Sequence, residues 1–131
     1  MGWLYINSAV PDASVVGQLE QGAIRLKNVE GRSHSILNTL AALPLMKRKG
    51  SNLAGICVVS GPGSFSSIRT GVLIANVMSR ELGVPLFGVS LSETQDLDEL
   101  TMKLQSGKIL PQEYVKPEYD TEPNITLPKT T

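Results

Sequence analysis

The chain has 131 residues, which is long enough for one hydrophobic core. Its hydrophobic fraction of 41% and charged fraction of 18% are typical of a globular protein. Twelve Lys and Arg residues balance twelve Asp and Glu residues, and the aromatic fraction is only 5%. A net charge of zero gives little attraction to a phosphate backbone, and few aromatic side chains leave few platforms for stacking bases. We therefore expect no strong direct binding of nucleic acid.

The content of metal-ligating residues argues against a metal site. With one cysteine, Cys57, and one histidine, His34, the chain can form neither an internal disulfide nor a Cys- or His-rich metal centre. No apolar stretch approaches the ~20 residues that span a bilayer, and residues 1–7 lack the basic start of a signal peptide. The sequence predicts a cytoplasmic protein with no metal and no membrane contact.

The first elements in chain order are short β-type runs. Residues 3–8, 14–20 and 23–29 are predicted to form an antiparallel β-meander, with Gln21-Gly22 at the position of a tight hairpin turn. In the third run apolar and charged residues alternate, as in a strand with one wet face.

A helical pattern with an apolar stripe follows the meander. Pro44 lies inside it and is expected to kink or end the helix, because proline lacks the backbone donor that the helix needs. An uninterrupted apolar run then predicts a strand buried on both faces. The order β-β-β-α-β-α-β-α predicts a mixed α/β layer. These later elements are predicted at residues 34–49, 53–60, 67–82, 86–89 and 92–105.

Composition changes after Gly107. The last 24 residues contain four of the eight prolines and no glycine. Such a segment is typical of an extended chain with little core of its own. We predict a lobe at residues 1–107 and an extended, proline-rich C-terminal tail at residues 108–131.

A glycine-rich loop joins the buried strand to the second helix. Such a loop places backbone N–H groups at a helix N-terminus, where an anion can bind. The candidate anion- or nucleotide-binding residues are Gly61, Gly63, Ser64, Ser66 and Arg69. The alternative is a tight turn with a serine cap. The loop lacks the Lys-Ser/Thr of a phosphate-binding Walker loop, and proline stands where a nucleophile elbow needs its first glycine.

The same loop resembles a family signature. Residues 59–71, VSGPGSFSSIRTG, are similar to the GPGSFTGLRIG motif of the TsaB family, also called YeaZ. The resemblance covers roughly residues 3 to 100. Further similar segments, in the family's order, are Leu4-Tyr5-Ile6-Asn7-Ser8, Arg32-Ser33-His34-Ser35, Gly83 to Ser90 and the ending Glu113-Tyr114-Val115-Lys116.

The resemblance implies one lobe of an actin-like, ribonuclease-H-like fold. It also implies a place beside TsaD, TsaE and TsaC in making N6-threonylcarbamoyladenosine in tRNA. Members of this family are usually non-catalytic partners of TsaD, so we expect a scaffold and not an enzyme. The implied partners are a TsaD-like paralogue and TsaE.

Departures from the family pattern bear on catalysis. The family's opening strand carries Asp-Thr where this chain has Asn7-Ser8, and the second lobe of ordinary members is almost absent. We therefore expect no cleft within one chain and no cofactor. The open alternative is an ATPase-type module that holds ATP or ADP at a subunit interface with the Gly61–Arg69 loop. A peptidase lacks a catalytic constellation here, and a remnant with a structural role elsewhere is the remaining reading.

The second helix is apolar on two sides. At about 100° per residue, one stripe faces the sheet and another projects away from it. The predicted sheet-facing stripe is Ile68, Gly71, Ala75, Met78 and Leu82, and Leu73 and Val77 lie opposite, beside Thr70 and Ile74. A helix that is apolar on both sides needs a second cover. We therefore predict a partner interface, in a homodimer or a heterodimer with TsaD, at Ala41, Leu45, Thr70, Leu73 and Val77.

Overall fold

The computed structural model describes residues 2–10, 13–30, 33–47 and 53–118. These residues form a mixed α/β fold, and the order of the predicted elements is confirmed. The strands are β1 (Gly2–Asn7), β2 (Ser14–Leu19), β3 (Arg25–Val29), β4 (Leu53–Gly61) and β5 (Leu86–Ser90). The helices are α1 (Ser33–Ala41), α2 (Pro44–Lys47), α3 (Phe65–Leu82) and α4 (Leu97–Ser106), with a 3-10 turn at Leu91–Gln95.

The five strands form one sheet in the order β3-β2-β1-β4-β5. The first three strands pair antiparallel, as the predicted meander requires, and β4 and β5 add to β1 in parallel. Tyr5 lies beside Cys57 and Cys57 beside Phe87, so these residues share one face. Because β1, β4 and β5 are parallel, their carboxyl ends lie at the same end of the sheet.

Two apolar layers cover the two faces of the sheet. On one face, Leu4 and Ile56 pack with residues of α1, α2 and α3; on the other, Tyr5 and Cys57 pack with Leu100 of α4. Alternate residues of β1 and β4 thus enter different layers, because successive side chains of a strand point to opposite faces. Within the described ranges, none of the helices combines the length and apolarity that crossing a bilayer requires.

Pro44 divides the predicted helix in two. It begins α2, where its missing N–H is harmless, after α1 has ended at Ala41. The turn carries Leu45 into the core, where the residue is 0% exposed and its N–H donates to Gln18 Oε1 at 2.9 Å. The prediction that Leu45 contacts a partner is therefore wrong, because the residue does not continue the outer face of α1.

The buried side of α3 is wider than the predicted stripe. Ile74, expected to face outwards, is only 6% exposed, and it joins the apolar layer that contains α1. Leu82, expected to face the sheet, is 42% exposed, because it lies in the last turn before the left-handed cap at Gly83. The prediction was wrong for these two residues. Ile68, Gly71 and Ala75 are buried as predicted.

Gly71 brings α3 against the end of β1. A Cβ atom at this position would lie 2.1 Å from Ser8 Oγ and 2.9 Å from Ser8 Cβ. Such distances are far below van der Waals contact, so only glycine lets the helix lie this close. Ser8 is itself 1% exposed, and its hydroxyl has no hydrogen-bond partner among the described residues.

Replacing Gly71 with alanine tests this close approach. Helix propensity alone favours alanine by about 1 kcal/mol. Because the added Cβ overlaps Ser8, we expect Gly71→Ala to lower the free energy of unfolding by about 1–3 kcal/mol, measured by urea denaturation. The double variant with Ser8→Gly removes the overlapping atoms. Its loss in the free energy of unfolding should be smaller than the sum of the losses in the two single variants. A Gly71→Ala chain as stable as the parent would contradict the packing described here.

Candidate interaction surface and signature loop

The glycines of the signature loop are sites of close backbone packing. Gly61 has φ +138°, and a Cβ there would lie 2.1 Å from the carbonyl oxygen of Glu118. A Cβ at Gly63 would lie 2.5 Å from Ile68 Cγ1 and 2.8 Å from the Cα of Ala9. Both glycines therefore let the loop pack tightly between the end of β1, the first turn of α3 and the C-terminal segment.

The loop serines begin α3. Ser64 is the N-cap residue; its N–H donates to the carbonyl of Ala9 at 3.2 Å, and its own carbonyl accepts from the N–H of Ile68 at 3.0 Å. Its hydroxyl contacts that of Ser67 and makes no capping bond to the helix. Ser66 is exposed, and its carbonyl accepts from the Thr70 hydroxyl at 3.1 Å. The N–H of Ser64 is thus already engaged within the chain.

Arg69 projects from the first turns of α3 into solvent. Its guanidinium carbon lies 5.2 Å from the centre of the Phe65 ring, a cation–π distance. The structure places Arg69 near Ser66 at the N-terminal end of α3, while Gly61 packs against Glu118 and Gly63 against Ile68 and Ala9. Binding of an anion or nucleotide by this group of residues stays a prediction.

Asn7 is used for local structure at the end of β1. Its Oδ1 accepts from the N–H of Ala9 at 3.1 Å, and its Nδ2 donates to the Tyr5 hydroxyl at 3.3 Å. These bonds shape the turn against which the signature loop packs. Among the described residues, no group of three or more His, Cys, Asp and Glu residues is placed to hold a metal ion.

Two buried ionisable side chains, Tyr5 and Cys57, lie side by side on neighbouring strands β1 and β4. Burial raises the pKa of Cys57, and the negative charge of Glu93 raises it further. Burial also raises the pKa of Tyr5, although the hydrogen bond from Asn7 opposes the shift. A thiol that is buried and held protonated is a poor nucleophile. Cys57 is therefore a core residue, as its apolar neighbours in sequence indicate.

The outer side of α3 presents apolar side chains to solvent. Leu73 is 64% exposed and Val77 is 51% exposed, one helical turn apart. Thr70 lies half-buried on the preceding turn, and Ala41 is exposed at the end of α1. Four of the five predicted interface residues therefore reach the surface, and Leu73 and Val77 are the large apolar side chains among them.

A C-terminal strap, residues 112–118, lies along this side of the molecule. Gln112 N–H donates to the carbonyl of Leu86 at 2.7 Å, and Glu118 N–H donates to the carbonyl of Ser60 at 2.7 Å. Between them Val115 is 2% exposed, whereas Tyr114 is 60% exposed and lines one groove with Leu73. The strap thus runs from the start of β5 to the end of β4.

Sequence reasoning missed Asn76 and Tyr114 as parts of this surface. The available signal was the similarity of Glu113-Tyr114-Val115-Lys116 to the family's ending, together with one aliphatic residue in a polar segment. The division at Gly107 stays a prediction. Within the part of the tail that the structure describes, residues 112–118 form no regular helix or strand and pack against the lobe.

Comparisons with known proteins agree with the fold and the motifs. The family model described as TsaD, tRNA N6-adenosine threonylcarbamoyltransferase, matches residues 31–95. The tRNA threonylcarbamoyladenosine biosynthesis protein TsaB of Bacillus subtilis (strain 168) is 36% identical over 61 residues, which are 47% of this chain and 24% of that protein.

Two solved structures have the same fold. YeaZ from Pseudomonas aeruginosa superposes with a TM-score of 0.57 at 18% identity, over 71% of this chain and 47% of its own. A protein described as uncharacterized, with similarity to peptidase YEAZ from Pseudomonas aeruginosa, superposes with a TM-score of 0.53 at 20% identity, over 71% and 46% of the two chains.

The sheet order and the helices on both faces define one α/β lobe of the actin-like, ribonuclease-H-like class. The similarity to TsaB, the fold shared with YeaZ and the match to the TsaD family model together support a member of the TsaB (YeaZ) family. It spans about a quarter of the length of the curated relative and just under half of each solved structure.

The burial of Cys57 predicts a loss of stability at alkaline pH. The unfolded chain releases the thiol proton near its ordinary pKa of 9.0, whereas the folded chain retains it. Because the unfolded state binds fewer protons above this pH, the free energy of unfolding falls as pH rises. Between pH 8 and pH 10 we expect Cys57 to contribute a fall of about 1 kcal/mol, measured by urea denaturation. Over the same pH range, the free energy of unfolding of Cys57→Ala should fall by that much less than the free energy of unfolding of the parent. Equal falls in the two proteins would contradict the buried thiol.

Proposed function

We propose that this chain is a non-catalytic scaffold subunit of the machinery that makes N6-threonylcarbamoyladenosine in tRNA. It docks through the outer side of α3 onto a TsaD-like paralogue. The observation that carries the proposal is the exposed apolar pair Leu73 and Val77 on a helix whose other side is already packed on the sheet. The relatives' names supply the process: they describe threonylcarbamoyladenosine biosynthesis and threonylcarbamoyl transfer to tRNA.

The exposed pair has the chemistry of a protein-binding surface. Both side chains are more than half exposed, and Tyr114 stands beside Leu73. Aliphatic residues next to an aromatic ring are typical of the centre of an interface, because their burial releases water from apolar surface. Thr70 and Arg80 supply a polar margin around the pair.

The residues around the signature loop support a role without catalysis. Asn7 replaces the acidic residue of actin-like ATPases with a neutral amide, and both of its polar atoms are hydrogen-bonded within the chain. Gly61 and Gly63 pack against Glu118 and Ala9, which explains these glycines without a phosphate.

A TsaD-like paralogue suits this surface because the two lobes are alike. The TsaD family model matches residues 31–95, which contain α1 and α3. Two similar lobes can pair face to face through equivalent helices, as two identical subunits do in a dimer with twofold symmetry. A second copy of this chain is therefore the competing occupant, and TsaE stays a predicted further partner with no assigned surface.

Replacing Leu73 with aspartate tests the docking surface. A charge at the centre of an apolar contact must lose its water on binding, so we expect Leu73→Asp to weaken binding to a TsaD-type partner at least tenfold. Sedimentation velocity measures the affinity. Met102→Asp is the matched control, because Met102 is a similarly exposed apolar residue on α4, at 58%. The parent chain remaining a monomer in the partner's presence, or equal effects of both variants, would contradict the proposal.

Reconstitution of the tRNA modification separates a scaffold from an ATPase. We expect a TsaD-type transferase to modify tRNA faster with the parent chain than with Leu73→Asp. Calorimetric titration of the isolated chain with ATP should show no saturable binding. Saturable binding that Arg69→Ala abolishes would instead favour the nucleotide-binding module, with the signature loop as its site.

A further inference from the structure

We propose that the strap is a docked element that completes the interaction surface, with Asn76 as the positioning residue that holds it in place. The proposal rests on the proposed function, since it adds a second segment to the same docking surface. Docked, the strap sets Tyr114 beside Leu73. Undocked, it removes the ring from the surface and uncovers the side of β5.

Asn76 binds the strap through its main chain. The side-chain Nδ2 donates to the carbonyl of Val115 at 3.0 Å, and Oδ1 accepts from the N–H of Val115 at 3.0 Å. One amide therefore satisfies both backbone groups of a single residue, as a neighbouring β-strand would. Nδ2 also donates to the carbonyl of Val72 at 2.8 Å, which fixes the orientation of the amide on α3. The amide of Asn76 is thus held in the orientation that binds the main chain of Val115.

The side of β5 receives the one buried side chain of the strap. A Cβ at Gly88 would lie 3.0 Å from both methyl groups of Val115 and 2.6 Å from Gln112 Oε1. Glycine therefore leaves the space that Val115 fills, and its N–H donates to Gln112 Oε1 at 3.2 Å. The space beside Gly88 on β5 therefore accommodates a compact aliphatic side chain.

Tyr114 projects outwards because its neighbour is anchored. Exposure alternates along residues 114–116, so that Val115 is buried while Tyr114 and Lys116 face solvent. Tyr114, Leu73 and Asn76 together line two adjacent grooves along α3. The docked strap thereby widens the apolar face of the helix with an aromatic ring.

The strap is suited to leave and return as a unit. Val115 is its only buried residue; Gln112, Glu113, Tyr114, Lys116 and Glu118 are exposed, and Pro117 is half-buried. Few apolar contacts and exposed hydrogen bonds are the features of segments that open locally while the core stays folded. A partner that contacts Tyr114 would favour the docked state, because it binds that state better.

Hydrogen exchange in the full chain tests whether Asn76 holds the strap. Asn76→Ala removes the clamp and keeps a good helix former, and Gly88→Val fills the space of Val115 without touching α3. The informative amide is that of Glu118, whose acceptor on Ser60 neither variant removes. We expect at least tenfold faster exchange there in both variants, with no change at Ile56, whose N–H donates to the carbonyl of Pro85 in the core. Unchanged exchange at Glu118 would overturn the proposal.

Binding to the TsaD-type partner then tests whether the strap belongs to the surface. We expect Tyr114→Ala, Asn76→Ala and Gly88→Val each to weaken binding at least threefold, while the control Gln105→Ala on α4 has no effect. If Leu73→Asp weakens binding and these three variants do not, the inference fails and the proposed function stands. If Leu73→Asp also has no effect, the proposed function fails first.

Discussion

The close contact between α3 and the end of β1 determines what the rest of the molecule can do. Gly71 and Gly63 allow the helix and its preceding loop to lie against Ser8 and Ala9 at distances that any side chain would prevent. This contact fixes the rotation of α3 about its axis. One side, with Ile68 and Ala75, is thereby committed to the sheet, and the opposite side, with Leu73, is committed to the surface.

Close backbone packing also explains why the signature loop is rich in glycine. A loop with this composition is readily interpreted as an anion site, and it remains a candidate for one. In this structure, however, Gly61 accommodates the backbone of Glu118 and Gly63 accommodates Ala9, so packing alone accounts for both residues. The loop joins three segments that are distant in sequence. The glycines that pack the loop are also the candidates for binding an anion, so the motif alone does not distinguish the two roles.

Much of the fold could be predicted from the sequence because local signals and burial agree. The apolar run before Gly61 forms the internal strand β4, and Pro44 divides the predicted helix and begins its second part, where the missing N–H is harmless. The errors arose where packing overrides periodicity. Ile74 is buried because α3 packs against α1 as well as the sheet, and Leu45 is buried because the turn at Pro44 directs it inwards. Neither effect is encoded in the spacing of residues along one helix.

The candidate site was only partly predictable for a related reason. Leu73 and Val77 follow from helical periodicity, but Tyr114 joins them through contacts 39 residues apart in sequence, between Asn76 and Val115. No local pattern reports such a pairing. The similarity of Glu113 to Lys116 with the family's ending indicated that the segment has a defined place, although not which surface it completes.

Site-specific photo-cross-linking tests the central claim most directly. A benzophenone amino acid placed at position 73 of the full chain reports which protein touches the outer side of α3, and the same group at position 102 reports on the exposed side of α4. The account predicts a covalent adduct with the TsaD-type partner from position 73 and none from position 102. No adduct from position 73 in a mixture that forms the complex, or equal adducts from both positions, would contradict it.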